Sequence, residues 1–178
     1  MAVYSHEEIK RSAVFQVAAD MANAARTAPK ARGVDRLMIC VADGDVLGLL
    51  ADRMAQMHAE GRAAAHFVRD GDNLRQSLAC VLIGTEATPM PWGCDTCGMS
   101  TCLNRQKGDV GALCAYATHD LGLAVGSAVS LAADRRIDNR VMFSIGMAAI
   151  ELGMLPGARM AMGIPLSVSG KSPYYDRK

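Results

Sequence analysis

Cys94, Cys97, Cys102 and Cys114 lie in one run, GCDTCGMSTCLNRQKGDVGALC, with the spacing C-x2-C-x4-C-x11-C. Two residues between the first pair allow a tight turn to aim two sulfurs at a common centre, and the third thiol, five residues on, reaches another corner of the same small object. Four thiolates in one segment are the ligand set of an iron-sulfur cluster or of a tetrahedral zinc ion. Zinc ribbons commonly carry two separated C-x2-C pairs, and this chain has one, so the spacing favours a cluster and leaves zinc as the alternative. Gly93 and Gly98 would let backbone N–H groups approach sulfur and stabilise negative charge there. Trp92, Met90 and Met99 would shield the centre from water.

Other reactive residue types are scattered. Cys40 sits within LMICV and Cys80 within LACVLI, as small buried hydrophobes do. His6, His58, His66 and His119 show no metal-binding pair spacing. Methionines 54, 57, 142, 147, 154, 160 and 162 read as core fillers. Gly170-Lys171-Ser172 imitates the end of a P-loop, but that motif needs Gly where the chain has Pro165. No Ser-His-Asp set, paired-carboxylate site or Gly-rich dinucleotide fingerprint is present.

The elements that must carry the cysteines follow from periodicity. Ser5 and Glu8 have capping-box spacing, and Ile9, Ala13, Val17, Met21 and Ala24 recur at helical intervals, predicting a helix from Ser5 to Arg26. A strand at Leu37–Val41, a helix at Val46–Glu60, a weaker strand at Ala65–Val68 and a strand at Leu78–Ile83 come next. Thr85–Gly93 is a loop that delivers the chain to the cysteines. Beyond Cys114 a helix is expected with Thr118 or Asp120 as its cap, and its Gly122 and Gly126 imply close packing in the core. Asp138-Asn139 would cap a last helix ending at Gly153, before a final strand at Arg159–Ile164. The result is an α+β fold with helices packed on a central sheet, one domain over 1–178, and a cysteine-rich segment at 88–115 within it. The direction of the strands is not readable from this pattern.

With 178 residues, 19 Lys+Arg against 18 Asp+Glu and a formal charge of +1, the chain has no global field to draw it onto nucleic acid or an anionic membrane. Aromatics at 4% give few stacking platforms for single strands. The start, MAVYSHEEIKRS, lacks the apolar run of a secretory signal. Leu121 to Ala133 is shorter than the ~20 residues a spanning helix needs. These readings predict a cytoplasmic protein, a compartment in which clustered cysteines point to metal before disulfides.

Several motifs in order resemble an uncharacterised bacterial and archaeal family of ferredoxin-domain-containing proteins. They are AARTAPKARGVD at 24–35, RDGDN at 69–73, the cysteine run, DLGLAVGSAVSLA at 120–132, DNRVMFSIGMAA at 138–149 and GIPLSVSGKSPYYDR at 163–177. This resemblance implies a four-iron four-sulfur (4Fe-4S) cluster on the four cysteines. AARTAP and DLGLAVGSAVSLAA are also similar to segments of nitroreductase-like flavoproteins, which implies an α+β sandwich, a homodimer and FMN at the subunit interface. Under that likeness Arg26, Lys30, Arg69, Asn73 and Lys171 are the candidate anion or flavin contacts, although each alone reads more readily as a surface charge or cap. Lys10-Arg11-Ser12 stands nearer AARTAP than the flavoprotein phosphate-binding arginines would.

The expected function is single-electron transfer through the cluster to a redox partner protein, with a flavin extending it to two-electron reduction. The alternatives are a non-enzymatic, zinc-stapled interaction protein and a redox sensor.

Overall fold

The computed structural model describes residues 2–89, 94, 96–98, 102 and 113–175. Trp92, Met90, Met99 and Gly93 therefore lie outside the described residues.

Helix α1 spans His6–Thr27. Ser5 Oγ accepts the Glu8 amide at 3.3 Å while the Glu8 carboxylate accepts the Ser5 amide at 2.7 Å, the reciprocal capping box read from the sequence. The helix stops at Ala28, which is pushed to an extended ψ of 145° because Pro29 follows. A short 3-10 turn at Ala31–Gly33 then leads to β1, Leu37–Asp43.

Helix α2 is Asp45–Ala59, with Leu47, Leu50, Ala51, Met54 and Met57 on its buried face. The segment expected as a strand at Ala65–Val68 is instead the start of α3, His66–Arg75. Phe67, Asp70, Gly71 and Leu74 share a helical face there, and a Cβ on Gly71 would press 3.4 Å from the Ala51 carbonyl. RDGDN thus lies within a helix, and buried Asp70 accepts a hydrogen bond from Ser144 Oγ at 2.7 Å.

Strand β2, Ala79–Thr85, is buried along its whole length. Val81 and Ile83 join one apolar cluster, beneath α1 and α4 (Ala115–Asp134), while Cys80 and Leu82 join a second, beneath α2, α3 and α5 (Phe143–Glu151). The alternation follows from the two-residue period of a strand and makes three layers, helices, sheet and helices. Each fully buried Leu, Ile or Met contributes about 1.5–3 kcal/mol relative to exposure.

The remaining strands are β3, Asp138–Asn139, and β4, Met160–Ser167. The sheet order is β1-β2-β4-β3, and every pairing is antiparallel. Asp138-Asn139 pairs with Leu166 and Ser167, so it is not a cap, and α5 begins later, after Met142. The last strand starts one residue after the expected position and runs on to Ser167.

Two glycine readings change. A Cβ at Gly122 or Gly126 would meet nothing within 4 Å, so these residues do not pack in the core of the chain. The close approach belongs to Gly146, where a Cβ would fall 2.0 Å from the Ala161 carbonyl oxygen, and to Gly163, at 2.3 Å from Ile145 Cγ2. Met147, expected as a core filler, is 40% exposed. No helix among the described residues is long and apolar enough to cross a membrane.

Candidate cysteine centre and the groove at the far end of the sheet

The cysteine segment leaves β2 and returns at α4. Ala87, fully buried with φ of 51°, takes the left-handed region, which costs a non-glycine residue about 1–2 kcal/mol. Its carbonyl accepts the Cys114 amide at 3.1 Å, and its amide donates to Thr85 Oγ1 at 3.2 Å. Ala87, Cys114 and Ala117 form a small apolar cluster with Ala31 and Leu113. Cys114, not Thr118 or Asp120, is the N-cap of α4. The side chain of Asp120 turns inward and accepts the Ala31 amide with both oxygens, at 3.0 and 3.1 Å.

Thr96 Oγ1 donates to the Cys94 carbonyl at 3.1 Å, and Gly98 has φ of 75°, which closes the C-x2-C turn in a conformation suited to glycine. Burial pushes the Cys102 thiol above its ordinary range; hydrogen bonds with Cys94 and the charges of Cys94 and Cys114 act on it as well. The Cys102 thiol is thus within electrostatic reach of both Cys94 and Cys114. Among the described residues no hydrogen bond or charge interaction links Cys97 to them, and no group of three or more His, Cys, Asp or Glu side chains closes around an ion position. None of the six cysteines is in a disulfide. The donor set fits a thiolate-ligated cluster or zinc by its chemistry, and Cys114 places one ligand at the positive end of the α4 macrodipole, where an anionic centre is stabilised.

Cys80 is fully buried and its thiol is pushed well above its ordinary range by burial. Half-buried Cys40 points its thiol at the Met154 carbonyl, 3.7 Å away. Both face the second core, as expected of structural thiols.

At the opposite end of the sheet, where β1 ends and β2 begins, three adjoining hollows of about 580, 450 and 190 Å³ share Leu78. The largest falls within the ~300–1,000 Å³ of small-molecule sites. Arg11 lines two of them and has no ion-pair partner among the described residues. Arg75 in the same wall is paired with Asp52 at 2.5 Å, and Lys10 with Glu7 at 2.6 Å. Lys171 reaches the smallest hollow from the C-terminal tail. That tail is pinned by Tyr174, whose buried hydroxyl meets Ser77 Oγ at 3.0 Å and whose carbonyl accepts Arg140 at 2.8 Å.

The five residues considered as anion or flavin contacts do not gather. Arg26 donates to Asp35 at 2.7 Å and to the Leu37 carbonyl at 2.9 Å, and Lys30 donates to the carbonyls of Arg26 and Ala28. Both lie at the cysteine end. Arg69 pairs with Asp70 at 2.7 Å, and Asn73 is buried with its carbonyl accepting Ser77 Oγ. Only Lys171 lines the groove. Arg11, which lines the groove, stands in the basic stretch Lys10-Arg11-Ser12; Asp120 reads from the sequence only as a helix cap, and Arg36 carries no local pattern.

Residues 110–177 match the family described as "Uncharacterized protein containing a ferredoxin domain". An uncharacterized protein of Archaeoglobus fulgidus is 41% identical over 180 residues, covering 97% of this chain and 96% of that one. The chain belongs to this family. The matched segment includes Cys114 but not the other three cysteines of the run, whereas the archaeal relative spans nearly the full length.

Among solved structures, the fold is similar to a nitroreductase with bound FMN from Bacteroides fragilis, at TM-score 0.60 and 13% identity over 92% of this chain and 81% of that one. A nitroreductase with bound FMN from Desulfitobacterium hafniense gives TM-score 0.56 and 15% identity, covering 96% and 81%. A nitroreductase-like family protein from Bacillus cereus gives 0.56 and 11%, covering 100% and 93%. The family member therefore has a nitroreductase-like α+β fold carrying a cysteine-rich segment between β2 and α4.

Proposed function

We propose that this chain is an electron-transfer protein in which Cys94, Cys97, Cys102 and Cys114 hold one four-iron four-sulfur cluster, and in which the groove at the other end of the sheet takes the anionic end of FMN. The observation that carries the reading is the C-x2-C-x4-C-x11-C set of thiols on a segment whose last member, Cys114, is the N-cap of α4. When bound, the cluster supplies single-electron exchange and the flavin a two-electron store. The protein's own part is to supply four soft ligands, to keep them at the end of α4, and to offer Arg11 and Lys171 to a phosphate. The FMN named in two of the similar structures motivates the choice of anion.

The reading includes a homodimer built on the outer face of α4. Two mid-helix glycines cost about 1 kcal/mol each relative to Ala, and Gly122 and Gly126 gain no close packing within one chain. A second copy on that face is the return for that cost. A cytoplasmic setting and a redox partner protein complete the proposal.

The test is anaerobic purification followed by an absorption spectrum and analysis of iron, zinc, acid-labile sulfide and flavin, for the wild type and for Cys97→Ala. About four irons and four sulfides per chain, lost in the variant, are expected. One zinc with no visible band would replace the cluster by a zinc staple. Retained flavin that falls in Arg11→Gln would support the groove assignment.

A further inference from the structure

Arg36 immediately precedes β1 and reaches across to the first residues of the cysteine segment. Its Nη1 donates to the Thr88 carbonyl at 2.9 Å, to the Pro89 carbonyl at 3.2 Å and to Thr88 Oγ1. Arg36 is half-buried and lines a small hollow together with Thr85, Ala117 and Asp120. Two residues upstream of Thr88–Pro89's far edge, the chain passes through left-handed Ala87, whose carbonyl holds the Cys114 amide. The outgoing and returning strands of the segment are therefore tied by one backbone hydrogen bond, and one cation grips the outgoing strand beside that tie.

We infer that Arg36 is the positioning residue of the cysteine centre: it fixes the departing strand against Cys114 and so sets where the other cysteines of the segment stand relative to the Cys114 sulfur. The inference rests on the reading that the cysteines hold a metal centre. An Arg suits the task because its planar fork serves several acceptors from one rigid group. The acceptors are carbonyls and a hydroxyl, so no carboxylate among them neutralises the charge. Leu37, the next residue, is buried, and its amide donates to Asp35 Oδ1 at 3.0 Å, so the backbone that bears Arg36 is itself held.

The experiment compares wild type, Arg36→Gln, Arg36→Lys and Thr88→Val, the last removing one acceptor with little risk to folding. Three quantities are read: amide exchange at Cys114 in metal-free protein, the rate of metal loss to a chelator, and, in anaerobically loaded protein, the midpoint potential and EPR spectrum. In Arg36→Gln the Cys114 amide should exchange at least tenfold faster, metal should be lost several times faster, and the potential and EPR spectrum should shift while the melting temperature stays near that of wild type. Thr88→Val should move the same way by less, and Arg36→Lys should restore part of the effect. Unchanged exchange and unchanged metal loss in Arg36→Gln would overturn the inference. Faster exchange with unaltered metal loss and spectrum would also overturn it, reducing Arg36 to a structural clip. If the wild type holds zinc, the electron-transfer reading fails on its own, and the exchange and metal-loss measurements still decide the role of Arg36.

Discussion

The amide of Cys114 donates to the carbonyl of Ala87 at 3.1 Å, so the chain on either side of the cysteine segment is joined by a backbone hydrogen bond. Among the described residues, neither of the two large apolar clusters includes one from 88–113, and Cys114 and Leu113 belong to the small cluster at the junction.

Metal removal should therefore leave the fold intact. Metal-free protein and Cys97→Ala are expected to unfold cooperatively, within a few degrees of the loaded protein, by circular dichroism melting. A zinc-stapled domain behaves oppositely, since its binding energy is its folding energy. Loss of cooperative melting on chelation would favour the staple. Cys114→Ala, which removes a buried sulfur, should cost about 1 kcal/mol in addition to metal.

Gly146→Ala should be among the most destabilising small substitutions in the chain. Its Cβ would fall 2.0 Å from the Ala161 carbonyl oxygen and 2.8 Å from the Met162 amide nitrogen, both backbone atoms of β4. Separating α5 from the sheet to relieve this should cost about 3 kcal/mol, read as a lower urea midpoint. Gly48→Ala, with its nearest contact at 3.7 Å on a flexible arginine, is the control and should be near neutral or stabilising.

Acid should weaken the seam between α2 and α5 through Glu151. Hydrogen bonds from Arg62, and then from Arg53, hold its carboxyl down to about 2 from an ordinary 4.5. A depressed carboxylate stabilises the fold fully above its unfolded value, and that contribution is lost as pH falls from about 4.5 towards 2. Urea midpoints at pH 5 and pH 3 should differ more in the wild type than in Glu151→Gln. Glu60 shares both arginines and is likewise held below its ordinary range by Arg62 first, so Glu60→Gln should remove a further part of the slope.

The outer face of α4 gives an assembly prediction. If two copies meet there, Gly126→Leu should convert a dimer into a monomer by sedimentation, with little change in the helical spectrum. Gly122→Ala and Gly126→Ala would each stabilise an isolated chain by about 1 kcal/mol through helix propensity. In the dimer they should instead lower stability at low protein concentration. Concentration-independent stabilisation by both would remove the second copy from that face.

Much of this arrangement was legible before any coordinates. The capping box at Ser5 and Glu8 marked α1, and the unbroken apolar run at 78–83 marked a strand buried on both faces, because both signals are local. Ala65–Val68 has the pattern of a strand because four residues cannot separate the two periods; the helical face becomes visible only when Asp70 is counted as an inward residue, and its partner Ser144 is 74 positions away. Asp138-Asn139 is a good cap by type but is claimed by Leu166 and Ser167 across the sheet. At the cysteine centre the ligands were legible from spacing. Arg36 was not, since a lone cation has no pattern until the fold sets it beside Thr88 and Pro89.

Strand β2 joins the two candidate sites end to end. Leu78 opens onto the groove and Thr85 leads into the cysteine segment, and seven residues at about 3.3 Å each set these regions roughly 20 Å apart along the strand. Were both proposed cofactors bound, that separation would make direct electron exchange between them within one chain slow, because tunnelling falls exponentially with distance.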